Sequence, residues 1–296
     1  MQATLHQLKV FATVARHRSF TKAADELNIT QPTVSSQVKH LANTLGLPLF
    51  EQIGKQLYLT EVGEALLGTC RDIFDRLENF EMQVADFKGM KRGKLRLAAV
   101  TTTKYFVPRL LGSFCATYPE IDISLQVINH QQLIQRMTEN EDDLYILSNP
   151  PKDINLEVQK ILENPLVVVA KSDHPLAEKH NISIQELNGE SFISREAGSG
   201  TRRAIQELLN KHKVSVRVRL ELGSNEAIKH AIAGGLGISV LSQHSLFAKE
   251  LESELAILDV REFPIERYWY VAYLSSKQLS TIAQTFLEYL LEQSQF

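Results

Sequence analysis

Cysteine is nearly absent from this chain. Its two residues of that type, Cys70 and Cys115, stand far apart in apolar, helix-like contexts. They read as buried thiols, which leaves out a disulfide framework or a cysteine metal site. No apolar run approaches the roughly 18–20 residues of a membrane span. The first residues lack the apolar segment of a secretory signal, so a cytoplasmic location is expected. Catalytic signatures are missing too. Ala197 stands where a G-x-S-x-G elbow around Ser199 would need glycine. There is no Walker A, no H-E-x-x-H, and no Cys or His pair at metal spacing. Gly234-Gly235-Leu236-Gly237 lacks the dinucleotide fingerprint's spacing and reads as a close-packed helix-to-strand turn. Neither an enzyme nor a metal or cofactor is expected. Internal repeats and low-complexity runs are absent.

What is present centres on Ser19–Leu45. Phe20, Ala23, Ala24 and Leu27 fall at helical spacing, one apolar stripe of a short helix. Asn28 sits where the chain turns and tolerates left-handed backbone. Thr30 or Gln31 can cap a second helix with Pro32 in its first turn. Val34, Val38, Leu41 and Leu45 form its inward stripe. Thr33, Ser36, Gln37 and His40 share the opposite face, flanked by Ser35 and Lys39. Such a face is built to make hydrogen bonds, and the small Ala24 lets the two helices cross closely. Gly46 stops the second helix. Phe50–Thr60 then reads as two short strands around Gly54-Lys55, with Leu57 and Leu59 inward and Lys55 at the tip. Together these make a winged helix-turn-helix, which sets a helix in the DNA major groove and its wing on the phosphates.

Residues 5–63 resemble the DNA-binding domain of the LysR-type transcriptional regulators. The carriers are LxxLxxFxxVAxxxSFTxAAxxL, QPxVSxQVxxLxxxLGxxLF and LTEVG. The resemblance implies DNA contacts from Arg18, Thr30, Gln31, Pro32, Thr33, Ser35, Ser36, Gln37, Lys39, His40 and Lys55. Wing positions where the family often has arginine hold Gln52 and Gln56, so weaker phosphate contact is expected there. The formal net charge of −3 looks wrong for a DNA binder, but it is unevenly spread. Up to Thr60 there are six Lys/Arg against three Asp/Glu, and the remainder has 26 against 32. That surplus is modest, so dimerisation would have to multiply the contacts.

The rest of the 296 residues leaves room for two or three domains. Residues 4–17 are expected to form a first helix whose Leu5, Leu8, Phe11 and Val14–Ala15 pack behind the hairpin, with Arg16, His17 and Arg18 at its end. From Thr60 to about Phe87 a long helix carries a near-heptad stripe of Leu66, Leu67, Cys70, Ile73, Phe74, Leu77, Phe80, Val84 and Phe87. A helix of about 27 residues spans ~40 Å and cannot bury that seam on so small a domain, so it calls for a partner helix. In the resembling family it is the linker helix that dimerises. Two glycines among three cations over Lys88–Gly93 mark a hinge.

Beyond the hinge the rhythm is α/β. Strands are expected at 94–100, 121–127, 143–147, 156–161, 165–170, 190–194, 217–222, 238–241 and 268–274, interleaved with helices. The resemblance implies a two-lobed, periplasmic-binding-protein-like effector module. The expected division is a DNA-binding domain over 1–60, a linker helix over 61–88 and an effector module over 89–296. Its first lobe takes about 93–163 and 267–296, its second about 164–266.

Two strand-to-helix turns can hold an anion on exposed N–H groups and hydroxyls. One is Thr101-Thr102-Thr103 with Lys104. The other is Ser199-Gly200-Thr201-Arg202, with Arg195 before it. Ser148 and Asn149 follow a strand's C-terminal end, where open α/β sheets bind ligands. Asn225 and Glu226 open another helix and are candidates for ligand binding or lobe closure. A serine or threonine before a helix is first of all a cap, and that reading stays open.

Across nearly its full length the chain is most similar to the carbon-fixation subgroup of the family. The carriers include NEDDLYILSNPP, NPLVVVAKSDHPLA, REAGSGTRRAI and LELGSNEAIKHAIAGGLGISVLSQHSL. Membership implies a regulator, activation being the favoured sense, of CO2-fixation or bicarbonate-uptake genes. It implies an effector such as 2-phosphoglycolate, ribulose bisphosphate or 2-oxoglutarate, and double-stranded DNA, RNA polymerase and further copies of the chain as partners in a dimer or tetramer. Two alternatives stay open: another operon with a different small anion, or a metabolite-binding α/β protein whose N-terminal helices only oligomerise.

Overall fold

Capping side chains delimit the first helices. In the computed structural model, which describes residues 3–87, 92–246 and 253–293, α1 (Leu5–His17) starts from a capping box between Thr4 and Gln7. Ser19 caps α2 (Phe20–Leu27), and Asn28 ends it in left-handed backbone, φ 52°. Thr30 caps α3 (Gln31–Leu45), whose first turn holds Pro32. The wing is an antiparallel hairpin of β1 (Phe50–Ile53) and β2 (Gln56–Leu59). Val10, Val14, Ala23, Ala24, Val34 and Val38 form one buried cluster with Leu57 against it; Leu8, Phe11, Leu41, Leu49, Leu66 and Cys70 form a second, with Leu59 against it. Each valine or leucine among them contributes about 1.5–3 kcal/mol on full burial.

The chain divides into two compact units, Met1–Glu81 and Met82–Phe296, and the division falls within α4 (Glu61–Phe87). The expected apolar stripe of α4 is split. Leu66 and Cys70 are buried against α1, whereas Leu77 and Phe80 are 42% and 62% exposed. The expected hinge lies outside the described residues as far as Lys91, and so does the side chain of Phe87.

In the second unit, β3 (Gly93–Val100) runs into a 3-10 turn over Thr101–Tyr105 and then α5 (Val107–Thr117). Thr101–Thr103 was expected to lead directly into a helix holding Phe106. Phe106 departs from helical backbone and Pro108 opens a new helix, so the turn and α5 stay separate. Next come β4 (Ile121–Ile128), α6 (His130–Thr138), β5 (Leu144–Leu147) and β6 (Leu156–Glu163). A second lobe follows with β7 (Leu166–Lys171), β8 (Ser191–Arg195), α7 (Gly200–Lys211), β9 (Arg217–Leu222), α8 (Asn225–Ala233), β10 (Ser239–Ser242) and β11 (Leu255–Ile257). The chain returns through β12 (Tyr268–Leu274) and α9 (Thr281–Gln293).

Two lobes result. The first is a five-stranded sheet in the order β4-β3-β5-β12-β6. Strand β3 pairs parallel with β4 and β5, and β12 antiparallel with β5 and β6. Its central strands read as unbroken apolar runs because helices cover both faces; Leu95, Leu97, Ile146 and Trp269 are fully buried with Phe114 and Phe286. The second lobe pairs β10-β7-β11 and β8-β9, joined by a bridge between Phe192 and Ile238. At that junction Gly237 has φ 147°, and a Cβ there would lie 2.2 Å from the Ser191 carbonyl oxygen. The Gly234–Gly237 run is therefore a backbone-contact turn and no phosphate loop.

Candidate functional site

Residues whose apolar neighbours define α3 leave its other face to solvent. Gln31, Pro32, Thr33, Ser35, Ser36, Lys39 and His40 are exposed, with Thr30 just before them, and Gln37 is half-buried. The Thr30 and Thr33 hydroxyls lie 2.8 Å apart at the helix start. Amides, hydroxyls and a lysine on a helix of this kind can meet base edges and phosphates. His40 is partly committed, its Nδ1 lying 3.0 Å from the Gln7 amide nitrogen. Arg18 is exposed at the end of α1, while Arg16 and His17 both pair with Glu26. Those bonds, His17's first and then Arg16's, hold the Glu26 carboxyl below its usual range. Lys55 is exposed at the wing tip beside Gly54.

A second candidate site is a narrow cavity between the lobes of the second unit. The end of β3 brings Thr101 and Thr102, the start of α6 brings Asn129 and His130, and the end of β5 brings Ser148 and Asn149. From the second lobe come Arg195 and Glu196 after β8, and Ser199, Gly200 and Thr201 at the start of α7. Arg267, just before β12, completes the wall.

Arg195 is 2% exposed and commits four of its five N–H donors. It donates to both Glu196 carboxylate oxygens at 2.8 and 3.0 Å, to Asn225 Oδ1 at 2.7 Å, and across the cleft to Thr101 Oγ1 at 3.1 Å. Arg267 straps the lobes together, donating to the Gly200 carbonyl at 2.9 Å and the Ser148 carbonyl at 3.2 Å. Burial first, then Arg203, lowers its pKa. Burial, helped by Arg203 and Arg267, also pushes the His130 pKa down to about 4, which keeps the ring neutral. Arg203 can then donate to His130 Nε2, 3.2 Å away. Ser199 caps α7 by accepting from the Arg202 N–H, leaving the Gly200 and Thr201 N–H groups in the first turn, where no intrahelical carbonyl is available. Trp269 Nε1 donates to Thr102 Oγ1 at 3.2 Å, so that hydroxyl keeps its own proton to give.

Two guanidiniums, one neutral imidazole, several hydroxyls and a helix start face a single carboxylate among the lining residues. The arrangement suits a small anion with several oxygens, because each buried oxygen needs a donor. A Cβ on Gly198, which has φ 83°, would come within 2.8 Å of Gln131 Oε1, so glycine there permits the lobes' close approach.

Of the twelve cleft candidates, eight line the cavity: Thr101, Thr102, Ser148, Asn149, Arg195, Ser199, Gly200 and Thr201. Arg202 does not; its guanidinium is spent on the Arg195 carbonyl at 3.0 Å and on Glu221 at 2.5 Å. Lys104 is also outside, 3.6 Å from Glu226. Glu226 accepts from Tyr105 of the other lobe at 2.8 Å and pairs with buried Lys229 at 2.6 Å. Burial pushes its carboxyl up, yet the Lys229 and Tyr105 bonds outweigh that and leave it below the usual range. Glu226 thus joins the lobes, and Asn225 supports Arg195 from behind. Sequence reasoning missed Asn129, His130, Glu196 and Arg267. Asn129 carried a legible signal, an N-cap with Gln132 three residues on; Arg267 carried none, being a lone cation before a strand.

Comparison with known proteins follows the same division. Residues 5–64 match the family described as bacterial regulatory helix-turn-helix protein, lysR family, and residues 88–295 match the LysR substrate binding domain. The chain is 52% identical over 288 residues to the HTH-type transcriptional activator CmpR of Synechocystis sp., covering 97% of this chain and 95% of the relative. It is 50% identical to the RuBisCO operon transcriptional regulator of Acidithiobacillus ferrooxidans, covering 97% and 93%. Among solved structures, the CcmR regulatory domain of Synechocystis in complex with 2-PG superposes with a TM-score of 0.68 at 63% identity, covering 69% of this chain and 98% of that one.

Proposed function

The chain belongs to the LysR family of transcriptional regulators, and from that premise we propose that it switches CO2-fixation or bicarbonate-uptake genes in response to a small phosphorylated acid. Relatives that regulate a RuBisCO operon support the gene class. A regulatory domain 63% identical, bound to 2-PG, supports 2-phosphoglycolate as the effector. The observation that carries the reading is the interlobe cavity, where Arg195, Arg267 and the start of α7 converge. A phosphate there would take N–H groups from the helix start and charge from both guanidiniums. Its carboxylate would meet the Thr101 and Thr102 hydroxyls. Because the walls come from both lobes, a ligand seated in it favours the closed arrangement by its differential affinity alone.

At the other site, Gln31, Thr33, Ser36 and Gln37 read base edges. Arg18, Thr30, Ser35, Lys39 and Lys55 hold phosphates, with Pro32 setting the helix start and His40 at the face's edge. The open half of the α4 seam, Leu77 and Phe80, is covered by a second copy of the chain. Effector occupancy then changes how paired DNA-binding domains meet their operator. The test is footprinting of the chain on the region upstream of its own gene and of carbon-fixation genes, with calorimetry against 2-phosphoglycolate, ribulose bisphosphate and 2-oxoglutarate. Binding of 2-phosphoglycolate with a shifted footprint is the expected result. A chain that binds the acid but no duplex would be a metabolite-binding oligomer instead.

A further inference from the structure

Helix α7 carries Arg203, Glu207 and Lys211 at four-residue spacing, one stripe along one face. At that spacing Glu207 would ordinarily bridge one of the two cations. Among the described residues no ion pair within 4 Å holds Arg203, Lys211 or Arg267. Arg195 and Arg202, by contrast, each have a carboxylate partner. Arg203, Lys211 and Arg267, none in an ion pair among the described residues, surround a second, open groove. It shares Asn149, Gly200 and Arg267 with the interlobe cavity, so the two compartments meet along one wall. That wall is the Arg267 guanidinium held between the Ser148 and Gly200 carbonyls. Those two bonds leave other N–H donors of the five-donor fork unused. Two long cations and the strap face one carboxylate, in a chain whose overall charge is negative.

The geometry points to a second anion subsite on this groove, taking the far anionic group of a ligand whose first group sits in the cleft. The class of ligand is a linear bisphosphate, or a phosphate with a distal carboxylate, long enough to pass Arg267. This rests on the reading of the cleft as an anion site and adds a length-and-charge selectivity to it. A short acid such as 2-phosphoglycolate fills only the first compartment and leaves Lys211 untouched.

The experiment is calorimetry on the full chain with 2-phosphoglycolate, propane-1,3-diyl bisphosphate and pentane-1,5-diyl bisphosphate at one ionic strength. Binding of at least one bisphosphate more tightly than 2-phosphoglycolate is expected. Lys211→Gln should weaken that bisphosphate about threefold and Lys211→Glu about tenfold, with 2-phosphoglycolate within about twofold throughout. Glu207→Gln should tighten the bisphosphate by a similar factor. Circular dichroism of the variants checks that α7 is intact. If neither bisphosphate exceeds 2-phosphoglycolate, or Lys211 variants weaken all three ligands alike, the second subsite does not exist. If 2-phosphoglycolate itself fails to bind while a bisphosphate responds to Lys211, the subsite stands and the proposed effector falls.

Discussion

Arg195→Ala removes the group on which both walls of the cleft depend. Four hydrogen bonds leave with it, three of them to groups of its own lobe and one to Thr101 across the cleft. Removing one partner of a buried ion pair costs about 3–5 kcal/mol when the other charge stays dry. Glu196 is 21% exposed, so water recovers part of that loss. Asn225 is 3% exposed, and its carbonyl oxygen is left bare at a further cost of about 1–3 kcal/mol. A net destabilisation of about 2–4 kcal/mol follows, which a domain stable by about 5–15 kcal/mol survives. The single tryptophan, Trp269, lies in the first lobe's core, so its fluorescence in urea reports unfolding of this unit. Anion binding should suffer more. A lost charge-assisted donor costs about 1.5–3 kcal/mol, roughly 10- to 150-fold in affinity, and the freed Glu196 carboxylate adds repulsion. The double variant Arg195→Ala/Glu196→Ala should regain about 1–2 kcal/mol of stability without regaining affinity. A single variant that loses under about 0.5 kcal/mol, or a double variant no more stable than the single, would refute this account of Arg195.

Three further outcomes are expected. Ser36→Ala or Gln37→Ala should cost about 1–3 kcal/mol at the operator and little on random duplex, whereas Lys39→Ala should weaken both alike; competition gel shifts separate the two patterns, and uniform weakening by Ser36→Ala would remove it from base readout. His130 titrates near 4 in the fold and near 6.5 when unfolded, so the unfolded chain takes up the proton first as pH falls. Stability should drop from pH 6.5 toward 4, and His130→Gln, which cannot titrate, should flatten the Tm profile in that window; parallel profiles would contradict the burial argument. Gly237→Ala must place a methyl 2.2 Å from the Ser191 carbonyl at a positive φ, so a loss of about 2–4 kcal/mol or failure to accumulate folded protein is expected by urea denaturation.

Local chemistry made much of this protein legible before any coordinates. Asn28, Thr30, Pro32 and Gly46 are caps and breakers whose action spans three or four residues, and the helices begin and end on them. Apolar runs such as LVVVA and LAAV announce strands buried on both faces. The polar face of α3 follows from the position of its apolar stripe alone. The three-residue β11 and the 3-10 turns were not legible, because segments so short carry no period.

Tertiary structure decided which charges are free. Arg195 and Arg202 look equivalent in sequence, seven residues apart around one turn, yet one is buried at the cleft and the other is turned onto Glu221. Lys104 and Glu226 look like ligand groups and instead face each other across the lobes. Arg267 and His130 gave no sign, since their neighbours in space come from β5, α7 and the chain between the lobes. A side chain's periodicity fixes the direction in which it leaves its own element. Whether it meets a carboxylate, a carbonyl or an open cavity depends on segments a hundred residues away, and only packing brings those together.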